Sequence, residues 1–364
     1  MLVDREAELA TLSAALAESA RGIGGFAVIH GATALGKTEL LHALRTRATE
    51  HGFTVRTALG SPTEQPFPYA LVDQLFPELG LLTAELPPVA APVPPHLLRR
   101  VYQAALDLTA QLPLLLCVDD LHHADHASQQ CLLYLIRRLR TARAALVVTE
   151  APHGAPAHRT LLSELQYQPR TRHLALTPLS PQGITRLLTH RLGEPAAIRL
   201  TPHVHRLTGG NPLLLRALLD DAAAATGPAG QVPTPGAAYR AAALACAHRS
   251  GTDALAAARA TAILGTDGTD GPDAADGPHG TTDTPEPPDT TLLAATAALT
   301  PQAVRPALDA LTASALYDDR RRPRHPAVDE ALLADLSSAA HTALRARAAR
   351  ALHAQGASAA AVAA

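Results

Sequence analysis

The sequence predicts an α/β fold in its first half, a mainly parallel sheet with helices on both faces, and helical domains after it. Three observations lead to this prediction. Short apolar segments alternate with helical patterns from the N-terminus to about Leu176, as in sheets built from strand–helix–strand units. The segment Leu114–Val118 is apolar without alternation, which is typical of a strand buried on both faces of a parallel sheet. After Ser180 the strand pattern stops, and helical patterns follow, among them a short one over Pro202–Leu207 and an alanine-rich segment over Ala237–Leu264.

Length, charge and cysteine content limit the class of protein. A chain of 364 residues is long enough for two or three domains with a sizeable core. Its net charge of -2 provides no overall basic field for nucleic acid. Three cysteines without metal-binding spacing are typical of a reduced cytosolic protein. The first residues, MLVDREAEL, predict no signal peptide, and no apolar run is long enough to span a membrane. We therefore expect a cytoplasmic protein without a membrane partner.

Each helix and strand of the first half follows from a local pattern. Arg5–Ala20 has leucines at helical spacing, so we expect an amphipathic helix before the first strand. The predicted strands are a segment that starts at Phe26, Phe53–Ala58, a segment that starts at Leu114, Ala144–Thr149 and Leu174–Leu176. The further predicted helices are Lys37–Arg47, Tyr69–Phe76, Leu97–Leu112 and Gln129–Leu139. Proline-rich segments connect several of these elements, which favours surface loops.

A glycine-framed loop lies between the first strand and its helix. The residues GATALGKT, from Gly31 to Thr38, match the pattern G-x-x-x-x-G-K-[ST] of a phosphate-binding loop. Glycine lets backbone N–H groups approach phosphate oxygens, and the start of the following helix favours an anion. The lysine would reach the β and γ phosphates, and the Thr38 hydroxyl would hold Mg²⁺. The predicted nucleotide-binding residues here are Gly31, Ala32, Thr33, Ala34, Leu35, Gly36, Lys37, Thr38 and Glu39.

Two aspartates follow the buried strand that starts at Leu114. Carboxylates at the carboxyl end of such a strand face the crevice where ligands bind. Asp119 is the candidate Mg²⁺ ligand, while Asp120 and Lys37 are the candidate catalytic residues, with Asp120 polarising the attacking water. The alternative is a solvated Asp-Asp turn. The nearby histidines also suit a zinc site, but the assignment of the carboxylates to Mg²⁺ disfavours that interpretation; they are His122, His123 and His126.

The second half divides by composition. We expect a P-loop nucleotide-binding domain over residues 1–178, a helical domain over 179–226, a linker helix with an insertion over 227–289, and a winged-helix-like domain with a C-terminal helix over 290–364. The segment Gly265–Asp289 is acidic and rich in glycine and proline, which predicts disorder. The winged-helix prediction rests on three short helical patterns and the arginine-rich turn Asp318–His325.

With these residues in place, nearly the whole chain resembles the N-terminal ATPase module of the large ATP-binding regulators of the LuxR family. These regulators belong to the STAND class of signalling ATPases, which have a P-loop, AAA-like ATPase fold. The segments that support the resemblance are LVDREAEL, GATALGKT, PFPYALVDQLF, LLLCVDDLHHAD, LTPLS, TGGNPLLL and RHPAVDEAL.

The resemblance implies roles that spacing alone does not. Pro212 would pack on the adenine ring, His325 would contact the β-phosphate of ADP in a closed state, and Arg5 would lie near the adenine edge. An arginine that senses the γ-phosphate is common in the family where Ala151 stands here, so the resemblance supports ATP hydrolysis less than ATP binding. Slow hydrolysis would reset the switch. Members usually continue into a helical-repeat sensor and a DNA-binding helix-turn-helix. We therefore expect DNA contact through a module absent from this chain.

Three hypotheses of function remain at this point. The first is a signalling switch that binds ATP and ADP with Mg²⁺, regulates transcription and self-associates on activation. The second is a DNA-binding winged-helix protein, supported by the basic cluster Arg320, Arg321, Arg322 and Arg324. The third is an enzyme of another kind, a stand-alone P-loop ATPase or a metabolic kinase. No acceptor-site signature supports a kinase.

Overall fold

The computed structural model describes residues 2–82, 92–151, 159–168, 170–224, 232–265 and 290–356. The chain forms two compact units. The first consists of Met1–Gly31 and Gly36–Thr177, and the second of Ala32–Leu35 and Pro178–Ala364. The finer division into four regions stays a prediction.

The first unit contains a five-stranded parallel sheet, which confirms the predicted α/β fold. Its strands are β1 (Gly25–His30), β2 (Thr54–Leu59), β3 (Leu114–Asp119), β4 (Ala144–Glu150) and β5 (Thr171–Ala175). They lie in the order β2-β3-β4-β1-β5, and all four pairings are parallel. The last strand begins earlier than the sequence predicts, because its polar first residues pair with β1 at the edge of the sheet.

Helices cover both faces of this sheet. They are α1 (Glu6–Ala20), α2 (Lys37–Glu50), α3 (Ala70–Leu75), α4 (Pro95–Gln111), α5 (His126–Arg138) and α6 (Arg159–Tyr167). Alternate strand residues such as Val28, Val118 and Val148 form one core with residues of α3 to α6. The intervening residues, such as Ile29, are equally buried but lie outside that core, and α1 and α2 pack against the sheet there. Sequence patterns did not predict α6.

The second unit is built from helices. They are α7 (Pro181–Leu192), α8 (Glu194–Thr208), α9 (Pro212–Ala224), α10 (Ala237–Arg249), α11 (Thr252–Gly265), α12 (Thr290–Ala297), α13 (Pro301–Ala313), α14 (Pro326–Ala334) and α15 (Ser338–Ala354). One core contains apolar residues from α7 to α14, among them Leu188, Val204 and Leu215.

Two helix predictions in this unit are wrong in their bounds. The predicted helical segment Ala237–Leu264 consists of two helices, because the chain turns at Gly251, whose φ of 107° is unfavourable for other residues. The expected short helix Pro202–Leu207 is part of the longer α8. Proline favours a first helical turn, which suggested a start at Pro202. Buried residues on both sides of it, including Ala197 and Val204, keep the helix continuous.

The predicted winged helix remains unconfirmed. Between α13 and α14 the described chain has a single antiparallel bridge, from Tyr317 to Pro323. Most of the predicted acidic insertion, residues 266–289, lies outside the described residues, as do residues 357–364. Within the described ranges, no helix is long and apolar enough to cross a membrane.

Candidate nucleotide-binding site

The predicted phosphate loop connects β1 directly to α2. Gly36, the residue before α2, has a φ of 88°, a left-handed conformation that glycine adopts without Cβ strain. Ala34 is also left-handed, with a φ of 62°; this is uncommon for a residue with a Cβ, and such strain is found at ligand-binding loops. Because α2 begins at Lys37, the backbone N–H groups of its first turn lack helical partners. This arrangement can bind an anion.

Lys37 is the only lysine in the chain, since every other basic side chain apart from histidine is an arginine. It is buried, and its Nζ donates a hydrogen bond to the carbonyl oxygen of Gly31 at 2.7 Å. Burial lowers the pKa of the Lys37 ammonium, while the charges of Asp120, Asp119 and Glu150 oppose that shift. The charges of three carboxylates at the ends of β3 and β4 therefore act on the ammonium.

The Asp119 carboxylate accepts hydrogen bonds from one residue of α2 and one residue of β4. The Thr38 hydroxyl donates to its Oδ2 at 2.7 Å, and the Thr149 hydroxyl donates to its Oδ1. The Thr149 oxygen in turn accepts a hydrogen bond from the backbone N–H of Asp120 at 2.9 Å. A hydroxyl and a carboxylate are oxygen ligands of the kind that Mg²⁺ prefers. The residues present therefore fit the metal that the sequence predicts.

Two other predicted residues of the first unit have defined surroundings. Asp120 follows β3 in a left-handed conformation, with a φ of 50°, so its backbone turns away from the strand. Arg5 is buried, and its guanidinium donates to the carbonyl oxygens of Asp4, at 2.8 Å, and of Thr177. Burial lowers the pKa of Arg5. Arg5 thereby links the start of the chain to the end of the first unit; its expected place near adenine stays a prediction.

The remaining predicted residues belong to the second unit. Pro212 begins α9, and the buried Asn211 before it caps that helix by accepting from the N–H groups of Leu213, at 2.8 Å, and Leu214, at 3.1 Å. The Asn211 amide also donates to the carbonyl oxygen of Ser314 at 2.6 Å. The asparagine of the GGNP segment is therefore a structural cap, which sequence reasoning did not predict.

The GGNP and RHPAV segments meet within this unit. Gly209 has a left-handed φ of 55°, and a Cβ there would lie 2.5 Å from Nε of Arg324 and 2.8 Å from the Cβ of Ala315, so glycine is favoured at this position. His325 caps α14, with Nδ1 accepting from the N–H of Ala327 at 3.1 Å, and its ring lies edge-on to Tyr239. Burial lowers the pKa of His325. Nδ1 is occupied as an acceptor, which leaves Nε2 as the donor of the neutral ring.

The arginine-rich turn is partly held by the fold. Arg321 pairs with Asp309 at 2.8 Å, and Nε of Arg324 donates to the carbonyl oxygen of Ala315 at 3.0 Å. Side chains held by carboxylates and carbonyls contribute less to phosphate binding than exposed ones. Two of the four arginines on which the DNA-binding hypothesis rests are therefore held by contacts within the second unit.

Sequence reasoning missed three polar residues of the first unit. Asp125 is buried and accepts from the N–H groups of Tyr69 and Ser128, both at 2.8 Å, so it fixes the start of α3 against the start of α5. Thr149 and Glu150 end β4 next to Asp119 and Lys37. The signal for these two was available, because polar residues at the end of a buried parallel strand face the ligand crevice.

The parallel sheet, the loop after β1 and the aspartate at the end of β3 together define a P-loop nucleoside triphosphatase fold. More narrowly, residues 1–148 match the family model described as an AAA ATPase domain. None of the curated proteins is similar enough in sequence to count as a relative.

Several solved structures have a similar chain path. Aeropyrum pernix ORC1 in complex with DNA is 16% identical, with a TM-score of 0.44, over 92% of this chain and 93% of that one. Aeropyrum pernix ORC2, in ADPNP-ADP complexes, is 14% identical, with a TM-score of 0.46, over 95% of each chain. A STAND protein with a tetratricopeptide repeat sensor from Pyrococcus horikoshii is 13% identical, with a TM-score of 0.38. That match covers 94% of this chain and 45% of the other. These similarities are low, so a functional argument depends on this chain's own residues.

Proposed function

We propose that this protein is a STAND-type switch that binds ATP and ADP at the phosphate loop and hydrolyses ATP slowly. The observation that supports this most directly is the 2.7 Å hydrogen bond between the Thr38 hydroxyl and Asp119. This bond places Thr38, the last residue of the loop motif, in contact with the Asp119 carboxylate at the end of β3. Both oxygens are suitable ligands for the Mg²⁺ of a bound nucleotide.

Each nearby group has a role in this proposal. Backbone N–H groups of the loop and of the first turn of α2 bind phosphate oxygens. Lys37 exchanges its bond to the Gly31 carbonyl for bonds to the β and γ phosphates. Thr38 and Asp119 would hold Mg²⁺, which would supply charge neutralisation at the phosphates. Asp120 polarises the attacking water.

The regulatory part of the proposal rests on the resemblance to the LuxR-family regulators. In it, Arg5 and Pro212 contact the adenine, and His325 contacts the β-phosphate of ADP and stabilises a closed resting state. Exchange of ADP for ATP would release that state and allow self-association. The protein would then act in the cytoplasm as the nucleotide-operated part of a transcriptional regulator.

The single lysine makes the phosphate site directly testable. An amine-specific reagent can modify the side chain of only one residue, Lys37, besides the terminal amino group. We expect Mg²⁺ with ATP to protect Lys37, as read by mass spectrometry of the peptide that contains it. Lys37→Ala should lose nucleotide binding, whereas Arg45→Ala, an exposed change on the same helix, should retain it. Unchanged ATP affinity in Lys37→Ala would remove the assignment of the phosphate loop.

The nucleotide that accompanies the purified protein distinguishes the switch from a simple ATPase. Denaturation of a closed STAND switch should release one equivalent of ADP, which chromatography identifies. A protein that is empty but binds ATP weakly would support the stand-alone P-loop ATPase instead.

A further inference from the structure

A cavity of about 500 Å³ lies in the first unit, at the amino ends of β1 and β5. Its lining residues come from the end of α1, the turn that follows it and the start of β5; they are Glu18, Arg21, Ile23, Arg170, Thr171 and Arg172. The phosphate loop follows the opposite, carboxyl end of β1, and a strand of six residues spans about 20 Å. The cavity is therefore separate from the candidate nucleotide-binding site.

Positive charge predominates in this cavity. Its lining contains three arginines and one glutamate, so the formal charges sum to +2. The glutamate is directly paired, because Nη2 of Arg172 donates to Oε1 of Glu18 at 2.8 Å. Arg21 and Arg170 are exposed, and neither has a carboxylate partner within the described ranges. Two guanidinium charges are therefore available to a ligand.

The three arginines lie close enough to act on the same carboxylate. The hydrogen bond from Arg172 lowers the pKa of Glu18, and the charges of Arg172, Arg170 and Arg21 act in the same direction. Salt screens the interaction of exposed charges over about 8 to 10 Å, so both exposed arginines lie near Glu18. An anion in the cavity would therefore be attracted by three guanidinium groups and repelled by one carboxylate.

The end of α1 does not oppose an anion strongly. The last carbonyl groups of a helix carry partial negative charge. Here the carbonyl oxygen of Ser19 accepts from the N–H of Gly22 at 3.0 Å, and that of Ala20 accepts from Nε of Arg143 at 3.2 Å. Hydrogen-bond donors therefore cover these carbonyl groups, and Arg143 adds a further positive charge beside them.

Two polar atoms at the start of β5 have unused hydrogen-bonding capacity. Oγ1 of Thr171 and Nη1 of Arg172 are buried and have no hydrogen-bond partner in the part of the chain that the structure describes. Buried donors without an acceptor are unfavourable, and most such groups in proteins are bonded. The single bond to Glu18 therefore leaves the Arg172 guanidinium incompletely satisfied next to the cavity.

We propose that this cavity binds a small phosphate-bearing anion, with Arg21, Arg170 and Arg172 as its ligands. The formal charge of +2 matches a phosphate dianion, and a planar guanidinium group can bond two phosphate oxygens at once. The volume lies in the range of sites for small molecules, which favours a phosphate ion or a small phosphate ester over a macromolecule. This inference goes beyond the proposed function and does not depend on it.

Equilibrium dialysis of the full chain against radioactive inorganic phosphate tests the site. All variants carry Lys37→Ala, which weakens phosphate binding at the phosphate loop. Adding Arg21→Gln together with Arg170→Gln should lower the phosphate affinity at least about 10-fold, because two charged donors are lost. Glu18→Gln should raise it about 2- to 5-fold, because it removes the one negative charge of the lining. Arg99→Gln, which removes an exposed arginine of α4, is the matched control and should leave the affinity unchanged.

A second dialysis against glycerol phosphate distinguishes the two sources of the phosphate group. Tighter binding of the ester would support a phosphorylated small molecule, and tighter binding of inorganic phosphate would support the free ion. The changes at Arg21 and Arg170 alter exposed side chains, so the midpoint of urea unfolding should stay at the parental value.

Three results would overturn this site. They are the absence of binding of both compounds at millimolar concentration, equal affinities of the Arg21→Gln, Arg170→Gln variant and the Arg99→Gln control, and tighter binding of a short oligo-aspartate peptide than of either phosphate compound. ATP binding by the chain that retains Lys37 is measured separately, so each of these results leaves the proposed function standing.

Discussion

The carboxyl group of Asp329 makes the stability of the second unit depend on pH. It lies on α14, and its Oδ1 has no hydrogen-bond partner among the described residues. Burial, with a smaller contribution from the neighbouring Glu330, raises its pKa from 3.8 to about 7. The folded state therefore binds a proton that the unfolded chain releases between these two pH values.

The sign and size of the effect follow from this shift. Because the folded state binds more protons, the free energy of unfolding falls as pH rises from about 4 to about 7 and is level above that. A difference of about three pKa units corresponds to about 4 kcal/mol in total, since each unit is worth about 1.4 kcal/mol. About 2.5 kcal/mol of this is lost between pH 5 and pH 8.

Asp329→Asn replaces the titrating group with a neutral one of nearly the same size. We expect the free energy of unfolding of this variant, relative to the parent, to increase by about 2.5 kcal/mol from pH 5 to pH 8. Urea unfolding followed by circular dichroism at several pH values measures this difference, in which other titrating groups cancel. Asp319→Asn, which removes an exposed carboxylate nearby, is the control. A difference between Asp329→Asn and the parent that is constant with pH would refute the argument.

Two further predictions concern buried caps. Asn211→Ala removes the cap of α9 and leaves the Ser314 carbonyl unsatisfied, so the second unit should lose about 2–4 kcal/mol of stability in urea unfolding. A loss below about 0.5 kcal/mol would show that water replaces these bonds. Asp125→Ala leaves the N–H groups of Tyr69 and Ser128 without their acceptor, and should cost about 3 kcal/mol in the first unit. Exposed Asp107→Ala is the comparison for it, and equal effects of the two changes would contradict the buried role of Asp125.

The local patterns of the first half predict the strands well because each buried strand of a parallel sheet is a short, continuous apolar run. The helix α6 was not predicted, although its segment RTLLSELQY has apolar residues at helical spacing. The predicted bounds of strand β5 were wrong because of its polar residues. Its first residues, Thr171 and Arg172, are polar, and only their pairing with β1 makes them part of the sheet.

In the candidate site, too, local sequence patterns predict some residues, whereas contacts between distant residues appear only in the folded structure. The motif spacing alone predicts the roles of Lys37 and Thr38, because a phosphate loop requires those residue types close together in sequence. Asp119 is predicted from its position at the end of a buried apolar strand. Neither pattern can show that the Thr149 hydroxyl reaches Asp119, because these residues come from strands that are adjacent only in the folded sheet.

The sequence by itself determined the α/β class, the phosphate loop and the strand-end aspartates, since all three depend on short-range patterns of residue type. The tertiary structure alone decided which distant residues meet. It assigned Asn211 and Asp125 to caps, and it brought His30, Glu150 and His173 together at one edge of the sheet. The physical reason is that such contacts depend on strand order and register, which the spacing of residues along the chain does not contain.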